Sequence, residues 1–207
     1  MDICETFVSI QGEGLMMGVP TLFIRTAGCN LDCSWCDTKY AFGGGKETHV
    51  GELAEMAAGI SHVCVTGGEP MLQKELPELL ELLLSEGKHV VLETNGSMDV
   101  RGLPKDRNLM ISMDIKCPSS GMSEKMLTSN IASLGEKDQL KFIISDVADF
   151  EFAVDVLKEY APKTNVIFSP VGGMDLRPLA EEVLRRKLDV RVLPQLHKII
   201  WGDMRSV

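Results

Sequence analysis

Three cysteines packed into eight residues constrain this chain more than any other feature. In Gly28-Cys29-Asn30-Leu31-Asp32-Cys33-Ser34-Trp35-Cys36-Asp37-Thr38, three residues separate the first pair of thiols and two separate the second. A cubane iron–sulfur cluster has four irons, each of which wants one further ligand, usually a Cys thiolate. Three closely spaced thiolates hold three corners of a [4Fe–4S] cluster and leave one iron open to a small molecule. An electron-transfer cluster would normally be closed by a fourth cysteine, so the pattern is that of a catalytic cluster.

Two other readings exist. Cys33-x-x-Cys36 also matches half of a zinc site or a thioredoxin-like redox pair. Zinc would need a further ligand such as His49 or His62, and neither sits at a usual finger spacing. A redox pair has no use for Cys29. Cys4, Cys64 and Cys117 are scattered, and Cys64 in Val63-Cys64-Val65 reads as a small buried hydrophobe.

The chain's 207 residues suit a single domain over 1–207 with a substantial core. Against 21 Lys and Arg stand 30 Asp and Glu, a net charge of −9 without any basic block. That disfavours nucleic-acid binding. Apolar stretches are too short to span a bilayer, and the first residues do not resemble a signal peptide. The expectation is a cytoplasmic protein, in a reducing compartment that keeps thiols free for metal.

β-branched apolar runs alternate with amphipathic ones. Strands are predicted at 21–26, 62–66, 89–94, 109–115, 139–145, 165–169 and 189–193. Leu76, Leu79, Leu80 and Leu83 form one helical face, Phe152, Val156 and Tyr160 part of another, and a last helix is expected over 175–187. Such alternation predicts an α/β fold with a parallel sheet, doubly wound or barrel-like. Seven strands are one short of a closed barrel, so an open, partial TIM-like barrel with outer helices is expected. Ligands gather at the carboxyl ends of parallel strands. There lie the cysteine loop, Thr66-Gly67-Gly68-Glu69-Pro70, Glu93-Thr94-Asn95-Gly96, Asp114-Ile115-Lys116 and Ser169-Pro170-Val171-Gly172-Gly173.

In Gly67-Gly68-Glu69-Pro70 two residues without side chains follow a strand, so a ligand can approach the backbone closely. Glu69 and free carbonyls could meet a cationic amine, although the same residues also make an ordinary tight turn into a helix near Leu72. With the cysteine run, this segment resembles the radical S-adenosylmethionine superfamily. The resemblance implies that S-adenosylmethionine chelates the open iron through its amine and carboxylate, and that a 5′-deoxyadenosyl radical then takes hydrogen from a substrate. It places Trp35, Cys36 and Asp37 against the nucleoside and Gly68 and Glu69 at the methionyl part. Thr94, Asp114, Lys116 and Ser169 join them as cofactor contacts, with Asn95 supporting the mouth.

Ser9-Ile10-Gln11-Gly12-Glu13-Gly14, Gly18-Val19-Pro20, Phe23-Ile24-Arg25, Cys36-Asp37-Thr38 and Leu193-Pro194-Gln195-Leu196-His197 resemble the 7-carboxy-7-deazaguanine synthase family over essentially the whole chain. The family implies a lyase that turns 6-carboxy-5,6,7,8-tetrahydropterin into 7-carboxy-7-deazaguanine with loss of ammonia, feeding 7-deazaguanine-modified tRNA bases. Glu13 can accept from the pterin amino and ring N–H groups, with Ile10, Gln11 and Gly12 as further partners. Arg25 can pair with the substrate carboxylate, and Thr66 can reach the substrate from its strand end. Arg25 shares a strand face with Phe23, so it needs some partner, of which the substrate is one candidate and a structural ion pair another. Thr38 is implied as a ligand to Mg²⁺, which also binds the substrate carboxylate. His197, with the Val207 carboxylate, is a candidate for closing the site. A low-potential donor such as flavodoxin or ferredoxin and a homodimer, with Met16-Met17 or the last helix at its interface, are implied as partners.

One segment departs from the pattern. Several members carry Ser-Pro-Lys where this chain has Asp114-Ile115-Lys116. Asp-Ile-Lys at a strand end also resembles activating enzymes of glycyl-radical proteins, which are the enzymatic alternative. A noncatalytic iron–sulfur or zinc protein is the alternative of another class.

Overall fold

The computed structural model describes residues 1–207. Its strands are β1 (Asp2–Ile10), β2 (Pro20–Thr26), β3 (Lys46–Glu47), β4 (His62–Gly67), β5 (His89–Thr94), β6 (Leu109–Ile115), β7 (Gln139–Ile144), β8 (Asn165–Pro170) and β9 (Arg191–Val192). Between and after them lie α1 (Val50–Glu55), α2 (Leu76–Ser85), α3 (Val147–Tyr160), α4 (Arg177–Arg186) and α5 (Leu196–Trp201). The strands form one sheet in the order β3-β1-β2-β4-β5-β6-β7-β8-β9. From β2 to β9 all neighbours are parallel, and these are the seven strands that the sequence pattern predicts. The sheet stays open, edged by β3 and β9.

Periodicity misses β1 and β3, which extend the sheet antiparallel beyond β2. In β1 the register shifts between Ile3 and Glu5, which breaks the alternation that marks a strand. Pro70 opens only a short 3-10 turn, Pro70–Leu72; the helix starts at Leu76, with a proline in its first turn. α4 stops at Arg186 because Lys187 takes a left-handed conformation, φ 55°. β9 is two residues long, shorter than the 189–193 run suggests.

The period-two pattern of the strands does two jobs. Leu22 and Ile24, Val63 and Val65, Val90 and Leu92 turn one way. There they bury against Leu53 of α1, Leu79, Leu80 and Leu83 of α2, Phe150 and Val154 of α3 and Val183 of α4. Each such leucine contributes about 2 kcal/mol by leaving water. The alternate positions Arg25, Thr66, Glu93, Asp114 and Lys141 line the concave side, with Arg25 beside Thr66 and Asp114 beside Lys141 in the sheet register. A closed barrel would fill this side with layers of apolar side chains. Here it holds a polar cavity.

Candidate active site

The cavity measures about 540 Å³ and opens at the carboxyl ends of β2, β4, β5 and β6. Cys29, Cys33 and Cys36 all line it, and no cysteine of the chain is in a disulfide. Their loop is fixed from three sides. The Glu69 backbone N–H donates to the Gly28 carbonyl at 2.9 Å. The Ser34 N–H and hydroxyl both donate to the Ser120 carbonyl, at 3.0 and 3.2 Å. The Trp35 indole N–H donates to Ser119 Oγ at 3.1 Å.

This donor set fits an iron–sulfur cluster. The Asn95 carboxamide, 3.8 Å from Cys29 Sγ, and the Leu31 backbone N–H, at 3.5 Å, both donate to that sulfur. Hydrogen bonds to sulfur stabilise a metal-bound thiolate and tune cluster potential. No three His, Cys, Asp or Glu side chains converge on a single ion position. A cubane asks for something else, one thiolate on each of three irons.

Gly67 and Gly68 line the cavity too, but their lack of side chains serves the chain itself first. A Cβ on Gly68 would lie 2.0 Å from the Gly28 carbonyl oxygen and 2.9 Å from Cys29 Cβ. The strand end and the cysteine loop can therefore touch only through glycine.

Glu69 corrects an expectation. It is fully buried and accepts from the Met71 N–H, the Thr94 hydroxyl and the Asn95 N–H, at 2.9, 2.9 and 2.6 Å. Both oxygens are spent on joining two strand ends, so the carboxylate does not reach into the cavity for an amine. Burial pushes its pKa up. Ser169 is a second correction: its hydroxyl donates to the Leu193 carbonyl at 2.9 Å, and it stays off the cavity wall. Trp35 lines not the main cavity but an adjoining one of about 140 Å³, with the Lys116 ammonium 5.7 Å from its ring centroid. The end of β8 reaches that smaller cavity through Pro170, Val171 and Gly172.

Ile10, Gln11, Gly12 and Glu13 form the wall facing the cysteines. Gly12 is needed because His197 packs on it; a Cβ there would lie 2.1 Å from Nδ1. His197 and Val207 both line the cavity. Glu13 accepts from Gln195 Nε2 at 2.6 Å and from Lys141 Nζ at 3.2 Å. Burial raises its pKa, but Lys141 and Gln195 outweigh burial and leave it below the usual range.

Arg25 lines the cavity, and its structural partner is Glu5 of β1, 2.7 Å from Nε. The ion-pair alternative thus holds for one edge of the guanidinium. Thr66 also lines the cavity, as do Thr94 and Asp37. Thr38 also lines the cavity and donates to Asp37 Oδ1 at 2.8 Å, which sets a hydroxyl and a carboxylate, groups of the kind Mg²⁺ could take as ligands, side by side.

Lys141 is the residue that sequence reasoning missed. Only 7 % of its side chain is exposed, and it meets Glu93 at 2.7 Å, Glu13 at 3.2 Å and Asp114 at 3.5 Å. Burial would depress its pKa, yet Asp114, Glu93 and Glu13 hold it well above the ordinary lysine value. Asp114 also pairs with Lys116 at 2.5 Å, and despite its burial the two lysines pull its pKa down. Burial lifts the pKa of Glu93 instead. A lysine alternating with Gln139 and Ile143 in an otherwise apolar strand was the available signal, the same one that marked Arg25.

Residues 23–119 match the Radical SAM superfamily. Over its full length the chain is 42% identical to the 7-carboxy-7-deazaguanine synthase of Thermoplasma acidophilum, covering 100% of both proteins. It is 42% identical to that of Methanospirillum hungatei, covering 97% of this chain and 85% of the relative, and 40% identical to that of Clostridium acetobutylicum, covering 97% and 96%. The fold is similar to the crystal structure of QueE from Escherichia coli, with a TM-score of 0.77, 23% identity, and 95% and 94% of the two chains covered. The superfamily brings with it a [4Fe–4S] cluster and S-adenosylmethionine, and the three thiols of the cysteine loop line the cavity together with Gly67 and Gly68. Full-length identity and a three-thiol cavity together place this chain in the 7-carboxy-7-deazaguanine synthase family of radical SAM enzymes.

Proposed function

We propose that this chain, as one domain over 1–207, converts 6-carboxy-5,6,7,8-tetrahydropterin into 7-carboxy-7-deazaguanine with loss of ammonia, in 7-deazapurine biosynthesis. The observation that carries the reading is one cavity lined by both the three thiols and the Gln11-Gly12-Glu13 wall. When bound, the cluster and S-adenosylmethionine supply one-electron reduction and hydrogen-atom abstraction. The chain's own groups bind and orient. Ionised Glu13 accepts from the amino and ring N–H groups of the pterin, with Gln11 and the backbone of Ile10 and Gly12 beside it. Arg25 takes the carboxylate, and Thr66 touches the ring from the end of β4. Phe7, Phe23 and Phe42 on the wall limit water around the reacting centre.

Thr38 and Asp37 offer oxygen ligands for Mg²⁺, which in turn orients the substrate carboxylate. Thr94, Asp114, Lys116 and the backbone of Gly68 are the cofactor contacts supported by their place on the cavity wall. A low-potential donor, flavodoxin or ferredoxin, brings the electron. A homodimer in the cytoplasm, where the thiols stay reduced, completes the reading. No helix is long and apolar enough to cross a membrane.

Anaerobic turnover after cluster reconstitution tests this. The mixture holds S-adenosylmethionine, reductant, Mg²⁺ and 6-carboxytetrahydropterin, and mass spectrometry follows the products. Formation of 7-carboxy-7-deazaguanine, lost in Cys33→Ala and weakened without Mg²⁺, is the expected result. Release of 5′-deoxyadenosine without that product would move the substrate elsewhere, toward a protein glycine.

A further inference from the structure

Behind the cavity wall, Glu5 gathers three donors and faces no acceptor. Arg25 Nε and the Tyr40 hydroxyl donate to Oε1 at 2.7 and 2.9 Å, and the Ser206 hydroxyl donates to Oε2 at 2.7 Å. The guanidinium of Arg25 makes its one protein hydrogen bond through Nε; its two terminal nitrogens have no protein partner. The rings of Phe7 and Tyr40 flank it, with centroids 6.0 and 5.9 Å from Cζ, and Phe7 is itself stacked on Phe23 at 5.0 Å. A guanidinium gripped at Nε and walled by two rings cannot swing, so its terminal fork is held in one direction. Arg25 lines the cavity and Glu5 does not, which places the fork on the cavity side. Such a fork matches a carboxylate in two parallel hydrogen bonds.

We infer that Glu5 is a positioning residue for substrate selection: by holding Arg25 through Nε it aims the terminal fork at the carboxylate of the incoming ligand. The inference rests on the proposed function, in which Arg25 takes the pterin carboxylate. Both oxygens of Glu5 accept; an apolar side chain of similar size accepts nothing and frees the Nε edge of Arg25, whereas a carboxamide would keep its oxygen on Arg25 and Tyr40 and turn its nitrogen to the Ser206 oxygen. Glu5 also brings negative charge near the incoming carboxylate. If it merely neutralised Arg25, its removal would strengthen carboxylate binding; if it positions Arg25, removal weakens it.

The test is anaerobic calorimetry on the reconstituted enzyme with S-adenosylmethionine and Mg²⁺, using two unreactive aromatic ligands, 6-carboxypterin and pterin. Glu5→Leu, which removes both acceptors, is expected to weaken 6-carboxypterin about tenfold and leave pterin unchanged. Tyr40→Phe, which keeps the ring and removes one donor from Glu5, is expected to give a smaller loss with the same selectivity. It carries the test alone if Glu5→Leu does not fold. Equal or tighter binding of 6-carboxypterin by the variants, or an equal loss for both ligands, overturns the positioning role. A wild-type enzyme that does not prefer 6-carboxypterin, or an Arg25→Lys variant that keeps the preference, overturns instead the assignment of Arg25 to the substrate carboxylate.

Discussion

The Lys141 ammonium lies 2.7 Å from the Glu93 carboxylate and reaches it across the intervening strand β6. One buried cation on β7 thereby ties together acidic groups from the Gln-Gly-Glu-Gly segment and from two strand ends. Removing it leaves Glu13, Glu93 and Asp114 facing one another. Lys141→Met is expected to lower stability by about 3–5 kcal/mol, as breaking a buried pair does, read by urea unfolding. Lys141→Arg keeps the charge and is expected to recover more than half of that loss. Wild-type stability in Lys141→Met would sink the view that this lysine holds the floor together.

Gly68→Ala is expected to dislodge the cysteine loop. The added methyl would stand 2.0 Å from a backbone oxygen that has nowhere to go. Overpacking costs about 1–3 kcal/mol, and here the strain falls on the residues next to Cys29. Iron and sulfide analysis after anaerobic reconstitution should find well under half the wild-type content. Full iron loading would show that the two segments do not need their close approach.

Asp149 of α3 holds the far side of the same loop. Its carboxylate accepts from the Ser119 N–H at 2.9 Å, the Ser119 hydroxyl at 2.5 Å and the Ser145 N–H at 2.9 Å, and Ser119 Oγ in turn accepts from Trp35. Asp149→Ala removes the acceptor of two part-buried backbone donors, at about 1 kcal/mol each. Trp35→Phe removes only the last bond, worth about 1 kcal/mol. Both variants should lose cluster to a chelator faster than wild type, Asp149→Ala more so. Unchanged loss rates in both would remove this chain of contacts from cluster retention.

His62 and His89 begin β4 and β5 with their rings stacked, centroids 5.0 Å apart. Burial, and then the neighbouring His89, press the pKa of His62 below the usual 6.5. The folded state therefore prefers the neutral ring. That contribution is complete above the unfolded pKa, near 6.5, and is lost as pH falls below it toward the lower folded value. His62→Gln should flatten this limb of the denaturation midpoint. An acid limb as steep as wild type would place its cause elsewhere.

Glu69 and Arg25 mark where sequence reasoning about the site stopped. Both were recognised as polar groups that need partners, but their partners are Thr94 with Asn95 and Glu5, each far along the chain or on a strand whose alternation is broken. Ser169 failed for the same reason, its acceptor being the carbonyl of Leu193. Lys141 looked like one charge in an apolar run until its register beside Asp114 placed it among three carboxylates.

What the sequence determined by itself was local: a two-residue period that gave seven parallel strands, and a thiol spacing that favours a three-thiolate cluster over zinc or a redox pair. Period and spacing act over a few residues, where covalent geometry alone decides which side chains share a face or a loop. Tertiary structure decided the rest, namely which glycine makes room for the cysteine loop, which carboxylate is tied up and which still faces the cavity. Those outcomes depend on hydrogen-bond and charge balance between residues tens to well over a hundred positions apart. Only the folded sheet and the segments docked at its strand ends bring such groups within 3 Å of one another.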